Sequence, residues 1–359
     1  MGLRERLVRF AAARPRPFVI VAPGGTATRL VVESELRSRG WVAASAPASA
    51  NVLVICGDRG AGTAAAAEVV WQDMPSPRSR VSLGPAVTRD EVAAALDQAS
   101  RELADGEQGH HTGAPAELAM ADRADDRDGL KLDVLHVDLG PALAHWPAGL
   151  VVRLSLQGDV VQAAGITVPD LGGVSSFWGE PWTRAAAGER VQVGEAERRR
   201  AAARLDSVAR LLAVAGWQSA AEQASRLRDE VLGGGQDAGL VGRYARFVRR
   251  TGRSRTLRWM LRDLGVIDQA AAERHGLRTY TGDVAARLNG WLTEAGRSLE
   301  RMDDPRPLEG DDGPIASAAI LAVLPVLLEG AELAAARLIV ASLDPDLERL
   351  AVGAEAGGG

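Results

Sequence analysis

The stretch NVLVICGDRGAG, residues 51–62, is an apolar, β-branched run of strand length that empties into a glycine-rich loop. It also holds Cys56, the single cysteine of the chain. A strand, a glycine loop and a lone thiol allow a phosphate cradle, a nucleophile, one ligand of a metal cluster, or only a turn in an α/β sheet. The neighbouring segments narrow the choice. PFVIVAPGG (17–25) reads as a second buried strand and TRLVVESELRSRG (28–40) as a helix closed by Gly40. Downstream, GTAAAAEVVWQDM (62–74) predicts a helix stopped by Pro75, and RVSLG (80–84) a third strand. TRDEVAAALDQASREL (88–103) predicts a helix with Thr88 as N-cap and Glu91 completing a capping box. Strand and helix alternating in this way call for a parallel, doubly wound (flavodoxin-like) sheet covered on both faces.

Residues 104–130 are acidic and glycine-bearing with little apolar content, and read as a linker. From Lys131 the pattern changes: KLDVLHVDLG and GLVVRLSLQGDVVQAAGITV predict antiparallel strands, with QGD (157–159) as a hairpin turn. The loop SSFWGEPW follows, and after it helical runs at about 195–215, 218–232, 241–250, 254–263, 283–301 and 315–342. Leu205, Val208, Leu211, Leu212 and Ala215 fall on one helical face. The expected organisation is an α/β domain at 1–103, a flexible linker at 104–130, a β-hairpin plus helical-bundle domain at 131–350, and a disordered tail at 351–359.

Composition sets limits. The chain has 359 residues, 46% apolar and 25% charged, which is ordinary for globular domains. One cysteine excludes an internal disulfide framework and a four-cysteine site made by this chain alone. A net charge of −5 gives no electrostatic argument for nucleic acid or an anionic membrane. Of 42 basic residues only Lys131 is lysine, a bias expected of a GC-rich genome. The longest uncharged apolar stretch lies within Pro314–Leu328 and contains Pro325, shorter than the roughly 18–20 residues of a membrane span, so it reads as a core helix. No signal-peptide pattern begins the chain, and the expectation is a cytoplasmic protein without a membrane span.

Each candidate site has a plain structural alternative. Gly24, Gly25 and Thr26 in APGGTATR could present N–H groups to an anion, but the P-loop ending and the dinucleotide G-x-G-x-x-G spacing are missing. Cys56 ends an apolar strand, the usual place of an inert thiol. His110 and His111, with Met120 nearby, sit in the polar linker, where solvated histidines are the rule. His145 and Trp146 in HVDLGPALAHWPAG (136–149) could line a pocket for a quinone or other aromatic ligand. The arginine-rich segments 198–204 and 247–262 fit solvated helix faces or intersubunit ion pairs better than nucleic-acid readout.

Two sets of residues carry a family resemblance. Ser45, Pro47 and Ala50-Asn51 precede Leu53-Val54-Ile55-Cys56-Gly57; then come Trp71-Gln72-Asp73-Met74-Pro75, Pro77-Arg78 and Val81-Ser82-Leu83-Gly84. This order resembles the B (small) subunit of respiratory complex I and the small subunits of nickel–iron hydrogenases, over about residues 18–103. The segments 137–161, 254–277 and 327–350 are similar, in order, to the D (large) subunit of the same complex and the hydrogenase large subunits. The resemblance implies a fused small-plus-large arrangement, and also what has been replaced. The small-subunit family holds a four-iron four-sulfur cluster with cysteines where this chain has Gly25-Thr26-Ala27-Thr28 and Gly84-Pro85-Ala86, and its third cysteine segment has no counterpart. His145 lies in the loop that contacts quinone in the family, but its spacing to Arg153 is longer and no partner tyrosine matches.

The expectation is therefore a redox-inactive accessory, assembly or structural protein, not catalytic alone, with no cofactor and the cluster absent. Its expected partners are subunits of a complex I-like or hydrogenase-like assembly, through which it sits peripheral to a membrane, with no nucleic acid. Two alternatives stay open: a working NADH–quinone oxidoreductase-type subunit with quinone near His145, and a small-molecule or phosphate sensor using the 22–29 loop.

Overall fold

A computed structural model describes residues 14–58, 60–105, 122–125, 131–169, 174–234, 239–310 and 316–350. His110, His111, Met120 and the expected tail at 351–359 lie outside the described residues. The chain forms two compact units that do not follow one boundary: Met1–Met120, Leu139–Val151 and Val168–Val174 make the first, and Ala121–Asp138, Val152–Thr167 and Ser175–Gly359 the second.

In the first unit, β1 (Pro17–Val21), β2 (Val52–Cys56) and β3 (Ser79–Leu83) form a parallel sheet in the order β1-β2-β3. The opening stretch supplies the central strand. All five residues of β2 are buried, which is why its sequence is continuously apolar and not alternating. Helix α1 (Thr26–Ser38) and helix α3 (Arg89–Asp105) cover one face, with Val32, Leu36, Val92 and Leu96 packed on Val54, Cys56 and Val81. Helix α2 (Ala61–Asp73) covers the other, with Ala67 and Val70 on Phe18, Leu53 and Ile55.

Helices on opposite faces require the winding to reverse between β1 and β2. The hydrogen bonds show where. Successive carbonyls of an extended chain point to opposite edges; that of Arg16 accepts from Asn51 at 3.1 Å on the β2 side, and that of Pro17 accepts from Ala44 at 2.7 Å. The chain after α1 thus runs along the outer edge of β1 before crossing the opposite face, where Ala44 and Ala50 join the α2-side core. The sheet is doubly wound, as its sequence pattern implies, with a degenerate edge segment in place of a fourth strand.

The capping box forms as expected: Thr88 N–H and Oγ1 donate to Glu91 Oε2 at 2.7 and 2.8 Å, and Glu91 N–H donates back to Thr88 Oγ1 at 3.3 Å. The turn after α2 is built around Arg78, whose guanidinium donates to the Trp71 carbonyl and, at 2.8 Å, to the Met74 carbonyl. These are carbonyls left open at a helix end. The same guanidinium lies 4.4 Å from the Trp71 ring centroid.

The second unit contains an antiparallel sheet in the order β4-β5-β6-β7: Asp122–Asp125, Lys131–Leu139, Val151–Gln157 and Val160–Thr167. β4 pairs with β5 and falls inside the stretch expected to be linker. Gly158, at φ 63°, makes the β6–β7 turn. The helices follow: α4 (Glu180–Ala186), α5 (Val193–Val214), α6 (Gln218–Leu232), α7 (Leu240–Arg253), α8 (Arg255–Leu261), α9 (Gln269–Arg274), α10 (Val284–Leu299), α11 (Ala316–Leu328) and α12 (Leu333–Leu343). The single run expected at 315–342 is two helices, because Gly330 turns the chain at φ 79°. Helix α11 is only half a core helix: Ile320, Leu324 and Leu328 are buried while Val326 is 73% exposed.

A buried ion pair joins α5 to α6. Arg228 Nη1 donates to Asp206 Oδ1 at 2.6 Å, with each side chain about 1% exposed. Arg210 reaches the same Asp206 at 3.4 Å and Asp344, just past α12, at 2.6 Å.

Candidate functional site

In a doubly wound sheet ligands bind beyond the carboxyl ends of the strands, beside the point where the winding reverses. Here that place is bounded by the loops after β1 (22–25), β2 (57–60) and β3 (84–88). The loops are drawn tightly together. Ala22 N–H donates to the Cys56 carbonyl at 2.8 Å, and Gly57 N–H to the Leu83 carbonyl at 2.9 Å. A Cβ built on Gly25 would overlap the Cys56 carbonyl oxygen, and one on Gly57 would fall 2.8 Å from Gly25 Cα. These two glycines are required by backbone-to-backbone contact across the reversal point.

Thr28 connects the first loop region to the third. Its side chain is fully buried in the first turn of α1, and Oγ1 donates to the Gly84 carbonyl at 2.6 Å. The two segments matched to the family's cysteine positions are therefore neighbours in space, and a hydroxyl–carbonyl hydrogen bond joins them. The donor set is wrong for an iron–sulfur cluster, which is held mainly by thiolates. The one thiol, Cys56, is fully buried in β2, and burial, reinforced by the charge of Glu33, pushes it up to about 12.

The candidate anion loop is partly committed: Gly25 N–H donates to the Ala22 carbonyl at 2.9 Å, and the Gly25 carbonyl accepts from Arg29 N–H at 2.9 Å. Thr26 is 8% exposed. Beside this loop lies residues 139–151, which carry His145 and Trp146. A Cβ on Gly149, at φ 80°, would fall 2.8 Å from Pro23 Cγ, so the two candidate segments touch. Trp146 points inward, 6% exposed, and its Nε1 donates to the Leu150 carbonyl at 2.8 Å. His145 is exposed and held at φ 60°, an uncommon backbone for a residue with a Cβ. The tryptophan fixes the loop and the histidine is displayed on it.

A titratable cluster that the sequence does not announce lies in the second unit, where the tail after α12 meets the tryptophan loop at 175–182. Ser176 Oγ donates to Asp346 Oδ2 at 2.9 Å, and Phe177 N–H donates to Glu348 Oε2 at 3.2 Å. Glu348 is 3% exposed. Burial, with the nearby Glu348 charge second, pushes the Asp346 carboxyl up to about 6. The only signal in the sequence was the density of acids in SLDPDLE, which reads equally well as a solvated tail. A shallow cleft of about 250 Å³ lined by Gln269, Glu273, Arg278 and Thr281 contains none of the expected site residues. Among the described residues no group of histidine, cysteine and carboxylate side chains is arranged to hold a metal ion. No described helix is long and apolar enough to cross a membrane.

No family model and no curated protein matches the chain. Among solved structures, it is similar to a chain of the membrane-bound sulfane sulfur reductase (MBS), an archaeal respiratory membrane complex. The identity is 16% and the TM-score 0.46, over 61% of this chain and 98% of that one.

Proposed function

We propose that this chain is a redox-inactive accessory, assembly or structural partner of a complex I-like or hydrogenase-like oxidoreductase, built on a scaffold whose cluster site has been replaced. The observation that carries this reading is the Thr28–Gly84 hydrogen bond. It is an intrachain hydrogen bond between the two segments that the resemblance matches to cluster cysteines, and it supports both the register of that resemblance and the reading that the site has been replaced. The close backbone approach of Gly25 to Cys56 and Gly57 leaves no room for a side chain at either glycine. The role left to the chain is presentation of its outer surfaces to other subunits. The test is to purify the tagged chain from its native host and quantify what elutes with it. Stoichiometric recovery of cluster-bearing oxidoreductase subunits is expected; elution alone, or with proteins of no such complex, overturns the proposal.

A second reading is favoured by His145, exposed at φ 60° on a loop anchored by Trp146 and seated against Pro23. On that reading the chain is a working subunit of a quinone-reducing assembly, and His145 meets the quinone while partner chains supply the electrons. His145→Ala in the intact assembly would then raise the KM for quinone about tenfold or more, whereas unchanged kinetics dismiss this reading.

A further inference from the structure

Residues 240–262 carry eight of the chain's 42 basic residues and none of its 47 acidic ones. The remainder holds 34 basic against 47 acidic residues, so the modest net charge conceals a strongly basic strip on an acidic molecule. The fold sets that strip on one side of α7. At 3.6 residues per turn its five arginines fall within an arc of about 120°, opposite the buried Leu240, Tyr244, Phe247 and Thr251. In α8 the buried residues are Leu257 and Leu261, and Arg255, Arg258 and Trp259 lie on the opposite side. Arg258 Nη2 donates to the Gly252 carbonyl at 2.8 Å, which seats the start of α8 against the end of α7.

Little of this charge is neutralised. Arg243 pairs with Glu230 at 2.8 Å and Arg262 with its neighbour Asp263 at 3.1 Å. Arg250 is met by neutral groups, Gln223 and Ser219, and lies 5.1 Å from the Trp217 ring centroid. Among the described residues no carboxylate pairs with Arg246, Arg249, Arg253 or Arg255, all of them exposed. Trp259 stands among these arginines with 76% of its surface open to solvent.

A strip of arginines about 15 Å long on α7 alone, met by an acid only at its Arg243 end, needs a similarly continuous negative surface. Protein interfaces have an apolar core and a polar rim, and charged residues are depleted at the centre. A lipid headgroup layer rich in anions gives continuous negative potential and a boundary zone where indole rings are favoured. We propose that the outer faces of α7 and α8 dock on an anionic bilayer surface, with the arginines on headgroup phosphates and Trp259 in the boundary zone. This needs no spanning helix and does not depend on the oxidoreductase reading.

The test is co-sedimentation of the full chain with vesicles of phosphatidylcholine alone or with about one-third phosphatidylglycerol. Sedimentation is expected only with the anionic vesicles, and it should fall at least tenfold as salt rises from about 50 to 200 mM. Each arginine lost should weaken binding about fivefold, so Arg249→Glu with Arg253→Glu should abolish it. Trp259→Ala should reduce it severalfold with the circular dichroism spectrum unchanged. The charge-matched control, Arg101→Glu with Arg190→Glu, should leave binding within twofold. No sedimentation with anionic vesicles, equal sedimentation with neutral ones, or equal loss in the control overturns the proposal. So does tighter binding to single-stranded RNA than to the vesicles, which would assign the strip to nucleic acid.

Discussion

Thr28 and Asp346 make opposite demands on stability. Thr28 is buried with its hydroxyl satisfied by the Gly84 carbonyl. Valine fills the same volume but leaves that carbonyl without its donor, so Thr28→Val should cost about 1–2 kcal/mol in urea unfolding, with the m-value unchanged. Asp346 behaves in the other direction. Its folded pKa, about 6, lies above the ordinary carboxylate value of 3.8, so the folded state holds the proton more tightly than the unfolded chain. Stability then falls as pH rises from about 4 to 6, and above that window the ionised carboxylate costs of the order of 3 kcal/mol. Asp346→Asn, measured by chemical unfolding at pH 7, should therefore be the more stable protein, with the gain vanishing below pH 4. A variant less stable than the parent at pH 7 would mean that the bonds Asp346 accepts from Ser176 Oγ and, at 3.1 Å, from Glu348 N–H outweigh the burial of charge.

At the scale of elements, the sequence carried most of what the first unit required. β2 was legible because both its faces are covered, which forces five consecutive apolar residues. Helix α3 was legible from Thr88 and Glu91, whose side chains have no better partners than each other. Other elements were hidden by their lack of periodicity. β4 is four residues, DRAD, with an acidic composition typical of linkers, and it is visible only through its pairing with β5. Helices α4 and α9 are seven and six residues long, too short for a 3.6-residue period to emerge from local polarity. The arginines of α7 were legible as charge, but whether they faced solvent or carboxylates depended on which acids the fold brought near. The candidate site was legible in part for a related reason. Glycine at 25 and 57 marks a close backbone approach without saying what approaches. Thr28 and Gly84, 56 residues apart, meet only once the sheet is formed.

Each of the two units is held by contacts distant in sequence. In the second unit the clearest is Asp206–Arg228, where α5 and α6 share a nearly fully buried ion pair. Removal of one partner leaves a buried charge, so Arg228→Met should destabilise the protein by about 3–5 kcal/mol, read from thermal or denaturant unfolding. The double change with Asp206→Leu should recover most of that loss. The first unit draws its residues from three stretches of chain, so the loop bearing His145 and Trp146 packs beside the Pro23 loop although more than a hundred residues separate them. In the same unit Thr28 ties the 25–28 segment to the 84–86 segment through the Gly84 carbonyl. The proposed replacement of the site predicts that the chain holds no cluster. The most direct measurement is anaerobic reconstitution of the full chain with iron and sulfide, followed by desalting and assay of bound iron and acid-labile sulfide. Far less than one cluster per chain, with no visible absorption, is the result predicted. A stoichiometric cluster with its characteristic absorption would contradict it.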